Sequence, residues 1–216
     1  GLAVILIFLQ PDFGTTATIA FIVFVQFLFS KTKLIYPALL SIGGWFIGRY
    51  FLESEFYRAE RLRVWSEGIC NQGQELLGAC FQVHQSRIAI SSGGMFGLGP
   101  GTSRARWGSL PSAYSDFISS IIGEEYGFIG YLIFIFILSI CIITFFLIAV
   151  REKNEFKKIF ISGLGAWILF QSVLNLGASV YLLPITGIVL PFVSYGGTAM
   201  VSIFVALGIM HCRVDE

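Results

Sequence analysis

One carboxylate of this sequence lies beside a long apolar run, and its position suits two roles, one structural and one catalytic. Asp116 stands between Ser115 and Phe117, shortly before the apolar residues 132–150, which are long enough to cross a bilayer. A charge is costly there. Because Asp is a favoured N-cap residue, Asp116 is predicted to cap the apolar helix that follows. Because a carboxylate in a partly dry site takes up a proton more readily than a hydrated one, it also suits general-base catalysis.

Two further segments interrupt the apolar sequence with Pro and Gly. Residues 10–16 read QPDFGTT; Pro11 cannot continue a helix, and Asp12 either caps the next helix or borders the same cavity as Asp116. Residues 183–197 read LPITGIVLPFVSYGG, which is very apolar for an ordinary outer loop. Since non-helical backbone at membrane depth is tolerated only where it is buried or lines a cavity, we predict a re-entrant segment here.

Arginine and cysteine side chains offer two other chemistries. Arg87, Arg104 and Arg106 suit phosphate, because the guanidinium fork matches its oxygens, although each also suits a solvated or lipid-facing position. Cys70 and Cys80 belong to the same predicted outer loop and are candidates for a disulfide in an oxidising compartment. Their spacing alone leaves the pairing open.

Composition indicates a membrane protein. Of the 216 residues, 56% are hydrophobic and 12% are charged, against about 25% charged in soluble domains. The apolar stretches are continuous instead of alternating, which favours helices over a β-barrel. The glycines of 93–101 lack the Lys-Ser/Thr ending of a phosphate-binding loop, the two His offer no zinc site, and the net charge of +1 gives no indication of nucleic-acid binding. We predict an all-α, polytopic integral membrane helical bundle with a large extracytoplasmic loop.

Apolar segments of suitable length divide the chain into spans and loops. The chain opens without Met on half a span, which is interpreted as the broken end of a longer chain. The complete spans are predicted at residues 15–29, 34–52, 121–150, 159–180 and 198–211. The whole chain, 1–216, is predicted to form one membrane domain, made of a partial span and two helices in 1–52, the loop 53–120, and three helices in 121–216 with a re-entrant segment at 181–197.

Basic residues orient the predicted bundle. All five Lys fall in two short hairpins on one side, which the positive-inside rule assigns to the cytoplasm. The loop 53–120 and the segment 181–197 then face outside, and Asp116 lies at the outer face. Loops of this length are usually functional or disordered, and this one is too apolar for plain disorder. Within it, residues 82–90 are predicted to form a short amphipathic helix on the membrane.

Four ordered motifs resemble those of one family and cover nearly the whole chain. They are QPDFGT at 10–15, the outer-loop residues Gln82, Gln85, Ser86 and 92–99, the block LP…SDF…GEE-x-G at 110–127, and LP-x-TG…LPF-x-SYGG at 183–197. The sequence is similar to the SEDS (shape, elongation, division and sporulation) family of FtsW/RodA peptidoglycan polymerases. The resemblance covers the C-terminal six spans of such proteins, and the spacing of 101–110 favours the FtsW-like division branch. The chain departs from the family pattern at Ser112, Tyr114 and Ser115.

The resemblance implies a reaction and a site. SEDS proteins polymerise lipid II into glycan strands: a sugar 4-hydroxyl attacks an anomeric carbon with inversion, and undecaprenyl pyrophosphate leaves. The family's essential Asp falls on Asp116, which implies that it is the general base. A divalent cation, Mg or Mn, or an Arg is expected to stabilise the pyrophosphate. The residues expected to bind substrate are Asp12, Gln82, Gln85, Ser86, Arg87, Arg104, Arg106, Glu124, Ser194 and Tyr195.

The resemblance also implies a location and partners. The expected location is the bacterial cytoplasmic membrane, crossed several times, with the active site facing outside. The expected partners are lipid II, a class B penicillin-binding transpeptidase and proteins of the division or elongation complex. Two other classes of function stay open: a flippase or transporter of the lipid-linked precursor would use the same cavity without forming a bond, and a membrane scaffold would only recruit the transpeptidase.

Overall fold

The computed structural model of the protein describes residues 13–33, 35–39, 43, 65 and 79–211. Every regular element in these residues is helical and none is a strand, which confirms the predicted all-α class. The helices are α1 (Phe13–Phe29), α2 (Ala79–Ser92), α3 (Ile118–Arg151), α4 (Glu155–Ser179) and α5 (Gly197–His211), with a 3-10 turn at Ala105–Trp107. Residues 35–39 are also helical.

The helix bounds follow the predicted spans closely, with one difference that concerns the site. The third span was predicted from residue 121, whereas α3 begins at Ile118, so the last residues of the predicted outer loop are helical. By length and composition α3 and α4 can each cross a membrane, while α1 and α5 are shorter apolar helices. The initial half-span, and all but a few residues of the span predicted at 34–52, lie outside the described residues.

The α3–α4 hairpin forms the main hydrophobic core. Its turn is closed by Asn154, whose side chain accepts hydrogen bonds from the amides of Phe156 and Lys157 and so caps α4. Apolar residues at helical spacing face each other across the hairpin, while the outer faces expose large apolar side chains, as expected in lipid. The buried set is Leu138, Ile142, Phe145 and Ala149 of α3, Ile161, Leu164 and Ile168 of α4, and Leu190 from the segment after α4.

Helix α1 packs against α4 and brings the predicted cytoplasmic hairpins together. The rings of Phe21 and Phe170 stack with centroids 4.8 Å apart. At the helix ends, Lys31 Nζ lies 2.8 Å from Glu155 Oε1, and this carboxylate raises the pKa of Lys31 above its usual value. The Lys-rich end of the bundle is therefore opposite to Asp116, which lies two residues before the start of α3. The side of the membrane to which each end belongs stays a prediction.

A glycine-rich turn is inserted into a break of α3. The break is at Gly127, whose φ of 67° and ψ of −169° interrupt the helix. Residues 93–99 replace the missing helical hydrogen bonds, so the loop and the start of α3 are held as one unit. The four bonds run from Leu98 N to Glu124 O (3.0 Å), Gly99 N to Glu125 O (3.0 Å), Phe128 N to Gly94 O (2.8 Å) and Ile129 N to Met95 O (3.2 Å).

A second, smaller core covers the beginning of α3. Helix α2 packs against α3 and α4, which confirms a helix within the segment predicted at 82–90. The residues of the 3-10 turn and of the following loop close over it. The buried members of this cluster are Ala89, Ala105, Leu110, Ala113, Phe117 and Ile121, with Ile185 of the segment after α4 packed against them. This packing fixes the turn that carries Asp116.

Candidate active site around Asp116

Asp116 lies in the turn before α3, and its side chain is half-exposed. Phe117 occupies the N-cap position of α3, where no side chain makes a capping hydrogen bond, so the predicted capping role of Asp116 is wrong. The Asp116 amide donates to the carbonyl of Ser112 at 3.0 Å. The carboxylate has no hydrogen bond or ion pair within the described part of the chain. It is therefore available for a contact with a ligand.

The Pro- and Gly-rich segment after α4 lies against the Asp116 carboxylate. Its backbone is non-helical between α4 and α5, as the sequence predicted. Gly187 adopts a left-handed conformation, with a φ of 69°, and a Cβ atom at this position would lie 3.9 Å from Asp116 Oδ2. The backbone at Gly187 thus forms one face of the site, and the absence of a side chain leaves space beside the carboxylate.

Hydrogen bonds tie this segment to the turn that carries Asp116. Ser194 Oγ donates to the carbonyl of Ser115 at 2.5 Å and accepts from the amide of Leu190 at 2.8 Å. The amide of Tyr195 donates to the carbonyl of Tyr114 at 2.9 Å. Ser194 and the Tyr195 backbone, both predicted as substrate contacts, therefore help to build the site. The Tyr195 side chain is 83% exposed, so it remains available to a ligand.

One of the predicted arginines, Arg106, contacts the Asp116 turn, and Arg104 lies two residues before Arg106 in the chain. Arg106 Nε donates to Tyr114 Oη at 3.4 Å, and its guanidinium lies 5.7 Å from the ring centre of Trp107. Arg104 precedes the 3-10 turn, and both arginines are exposed. Arg106 is thereby connected to the turn that carries Asp116, and its positive charge suits an anionic ligand there. That role stays a prediction.

Ser86 and Glu124, two other predicted substrate contacts, are buried in the protein. Ser86 is fully buried; its hydroxyl donates to the carbonyl of Ser179 at 2.6 Å and accepts from Ser120 Oγ at 2.6 Å. It thereby joins α2, α3 and α4. Glu124 is 2% exposed and accepts hydrogen bonds from the loop: its partners are Ser103 Oγ (2.6 Å), Arg104 N (3.1 Å), Ala105 N (3.2 Å) and Ser92 Oγ (3.4 Å). Both side chains fix the scaffold around the site.

Replacing Glu124 with Gln is expected to lower the free energy of unfolding by about 2–4 kcal/mol, because an amide group would face buried donors that need an acceptor. Thermal unfolding of the purified protein in detergent measures the effect. Glu125→Gln is the matched control, since Glu125 Oε1 is buried without a hydrogen-bond partner and loses none. Equal unfolding temperatures for the two variants would contradict the tethering role of Glu124.

The remaining predicted residues are less closely connected to Asp116. Gln82 and Gln85 are half-buried on α2, and Arg87 is exposed there. Asp12 lies outside the described residues. Cys80 is disulfide-bonded, while Cys70 also lies outside the described residues, so their pairing stays a prediction. Within the described ranges, no three His, Cys, Asp or Glu side chains come together as metal ligands.

Sequence reasoning missed Asn175 and Gly187 as site residues. Asn175 is buried on α4, and its side-chain amide donates to the carbonyls of Asp116 and Ile188. A signal for it was present, because a polar side chain inside an apolar span is a functional candidate. Gly187 was noted only as part of a motif. Its proximity to Asp116 depends on how two distant segments meet, which no local pattern indicates.

The fold and the site define a class of protein: a helical membrane protein whose bundle carries, at one end, a carboxylate that lies beside a non-helical segment. The model of the FtsW/RodA/SpoVE family, described as cell cycle protein, matches residues 1–215. The chain therefore belongs to this family, as its motifs predicted.

Curated relatives agree with this assignment. The chain is 37% identical over 215 residues to the probable peptidoglycan glycosyltransferase FtsW of Bacillus subtilis (strain 168), covering 95% of the chain and 52% of the relative. It is 35% identical over 213 residues to the protein of the same name in Haemophilus influenzae, covering 96% and 52%. Stage V sporulation protein E of Bacillus subtilis is 31% identical over 211 residues, covering 96% and 56%. The chain thus spans about half the length of these relatives.

A solved structure has the same fold. One of its chains superimposes with a TM-score of 0.69 at 23% identity, over 96% of this protein and 57% of that chain. It is described as "Structural coordination of polymerization and crosslinking by a peptidoglycan synthase complex". At this identity the likeness extends to the fold alone, and it agrees with the predicted helical membrane architecture.

Proposed function

We propose that the protein is a peptidoglycan glycosyltransferase that polymerises lipid II into glycan strands, with Asp116 as the general base. Relatives that align with nearly the whole chain are named probable peptidoglycan glycosyltransferases, which supports the glycosyltransferase part of the proposal. The single observation that carries the assignment to Asp116 is its half-exposed carboxylate, which faces Gly187 and has no partner in the described residues. A base must be able to accept a proton, and the chain that bears it must be held in place. The unbonded carboxylate and the hydrogen bonds made by the backbone of residues 114–116 support this assignment.

The proposed reaction needs one base. Asp116 takes the proton of the acceptor sugar's 4-hydroxyl while that oxygen attacks the anomeric carbon of the donor. The bond to undecaprenyl pyrophosphate breaks, and its electron pair leaves with the pyrophosphate, so the anomeric carbon is inverted. Pyrophosphate leaves as a stable anion, which removes the need for the second carboxyl that acts as an acid in glycoside hydrolysis. Glu124 accepts hydrogen bonds from the loop, which agrees with a reaction that needs no second carboxyl.

The pyrophosphate would be stabilised by positive charge. Arg104 and Arg106 are exposed, Arg106 contacts the Asp116 turn, and guanidinium groups match phosphate oxygens. A divalent cation is also proposed, but the described residues offer no cluster of ligands for it.

The proposed setting is the bacterial cytoplasmic membrane, with the site facing outside and a class B penicillin-binding transpeptidase as partner. The Lys-rich end of the bundle lies opposite to Asp116, which fits a cytoplasmic end under the positive-inside rule. The solved complex with the same fold is described as combining polymerization with crosslinking. A role in division is favoured because several similar relatives carry the name FtsW.

Polymerisation of labelled lipid II by the full-length protein in vesicles tests the proposal. Wild-type protein is expected to make glycan strands, alone or with its transpeptidase, and Asp116→Asn is expected to make almost none. Strands made equally by both proteins would exclude Asp116 as the base. Movement of lipid II across the vesicle without strand formation would support a transporter, and binding of the transpeptidase alone would support a scaffold.

Substitution of Gly187 by Ala is expected to lower the polymerisation rate about tenfold. The new methyl group would occupy the space beside Asp116 Oδ2, and the left-handed φ of 69° costs an Ala about 1–2 kcal/mol. Gly94→Ala is the control, because Gly94 also has positive φ but nothing lies within 4 Å of its Cβ position. If both variants lose the same fraction of activity, the space at Gly187 has no particular importance.

A further inference from the structure

We infer that Asn175 is a positioning residue for Asp116, holding the catalytic turn and the Gly187 segment in a fixed relative position. The inference rests on the proposed function of the same site. It is carried by two hydrogen bonds: Asn175 Nδ2 donates to the Asp116 carbonyl at 2.9 Å and to the Ile188 carbonyl at 2.8 Å. One amide group on α4 thus joins the residue that bears the base to the neighbour of Gly187.

The bond partners define the orientation of the Asn175 side chain. Both acceptors are carbonyl oxygens, so the group that faces them must be the NH₂, which has two hydrogens to give. The side chain is 2% exposed, and its Oδ1 is buried without a partner. An unpaired buried oxygen costs free energy. The residue is therefore placed for what its NH₂ group does, and an apolar side chain of similar size would leave two carbonyls without a donor.

Asn175 differs from Ser194 and Tyr195, which also bond to the Asp116 turn, because it lies on a helix of the main core. Ser194 and the Tyr195 amide bond to the carbonyls of Ser115 and Tyr114, and both belong to the segment after α4, so they move with it. Asn175 belongs to α4, which packs along α3 through the main core. It therefore holds both walls of the site, the Asp116 turn and the Gly187 segment, in a fixed position relative to the packed α3–α4 core. Small displacements of a catalytic group from its productive geometry can lower a rate by about 10².

Steady-state kinetics of the full-length protein in vesicles provides the first test. Asn175→Ala is expected to lower kcat by about 10–100-fold while KM for lipid II changes by less than about twofold, because the base is displaced and substrate binding is kept. Ser172→Ala is the matched control: Ser172 is also buried on α4, but among the described residues its hydroxyl bonds only to Ile168 O of the same helix. Asn175→Ser, which keeps one donor, serves if the Ala variant fails to fold.

A double variant tests whether Asn175 acts through Asp116. Adding Asn175→Ala to Asp116→Asn is expected to change the residual rate by less than about twofold, because the base that Asn175 positions is already absent. A further loss as large as in the wild-type background would overturn the inference, since Asn175 would then act independently of Asp116. A large rise in KM with unchanged kcat would overturn it as well.

Hydrogen exchange separates a failure of this inference from a failure of the proposed function. In Asn175→Ala, peptides that contain residues 112–117 and 185–191 are expected to exchange faster, whereas peptides of the α3–α4 core keep their protection. If wild-type protein makes no glycan, the proposed function fails. The exchange data then show by themselves whether Asn175 holds the Asp116 turn and the Gly187 segment together. Unchanged exchange in both peptides would show that Asn175 does not hold the two segments together.

Discussion

Asp116→Asn is expected to lower the rate of lipid II polymerisation by about 10²–10⁴-fold, the usual contribution of a general base. The amide has nearly the shape of the carboxylate but cannot take the proton of the attacking hydroxyl. The fold is expected to survive, because the carboxylate makes no hydrogen bond or ion pair in the described residues. The free energy of unfolding should therefore change by less than about 0.5 kcal/mol. Strand formation and thermal unfolding, measured on the same preparation, check both expectations.

Two further variants make the Asp116 result specific. Asp116→Glu keeps a carboxylate but displaces it by one methylene, and is expected to retain more activity than Asp116→Asn. Glu155→Gln is a carboxylate-to-amide change at the opposite end of the bundle, where the partner Lys31 is largely exposed, so polymerisation should continue at the wild-type rate. Equal losses in Glu155→Gln and Asp116→Asn would indicate a general effect of charge removal.

Gly127→Ala is expected to reduce the free energy of unfolding by about 4 kcal/mol or more, or to prevent folding. Its φ of 67° and ψ of −169° belong to a region used almost only by Gly, which costs other residues about 1–3 kcal/mol. A Cβ atom there would also lie 2.7 Å from the Phe96 carbonyl carbon and 2.8 Å from that of Met95. These are backbone atoms, which cannot move aside without separating the inserted turn from α3. Protein yield and thermal unfolding in detergent measure the loss.

Gly101→Ala separates strain from steric conflict. Gly101 has a φ of 81°, but nothing lies within 4 Å of its Cβ position, so about 1 kcal/mol of backbone strain is the whole expected cost. Gly97→Ala should behave like Gly127→Ala, because its Cβ would lie 2.6 Å from the Tyr126 carbonyl carbon. If Gly127→Ala and Gly101→Ala unfold at the same temperature, the contact between the turn and α3 does not contribute to stability.

The helices could be predicted from the sequence because their signals are local. Long apolar stretches indicate membrane helices by length and composition alone, and α1, α3, α4 and α5 appear within a few residues of their predicted bounds. The Pro and Gly residues of 181–197 likewise exclude a continuous helix wherever the segment lies. The break at Gly127 was not predicted, since an isolated Gly within an apolar helical pattern is usually tolerated. In the part of the chain that the structure describes, hydrogen bonds with residues 93–99 compensate for the break.

The candidate site was predicted in part, and the reason lies in the direction of side chains. Asp116 could be predicted as a candidate functional residue, because a charge beside an apolar run is costly and is therefore often kept for a function. Its capping role was a reasonable local prediction, but α3 starts at Ile118, and the Asp116 carboxylate makes no capping hydrogen bond. Ser86 and Glu124 belong to the motifs, yet they bond to other helices and loops of the protein. A motif indicates that a residue matters, and it does not tell which way the side chain points.

By itself, the sequence determined the helical membrane class, the approximate bounds of the described helices and the family, and it predicted the carboxylate most suited to chemistry. These depend on hydropathy, on Pro and Gly, and on ordered motifs, all of which are properties of neighbouring residues. The tertiary structure decided that Gly187 faces Asp116, that Asn175 bonds to both walls of the site, and that Glu124 holds the loop. Such contacts join residues far apart in the chain, and their geometry follows from the packing of α3, α4 and the inserted turn as a whole.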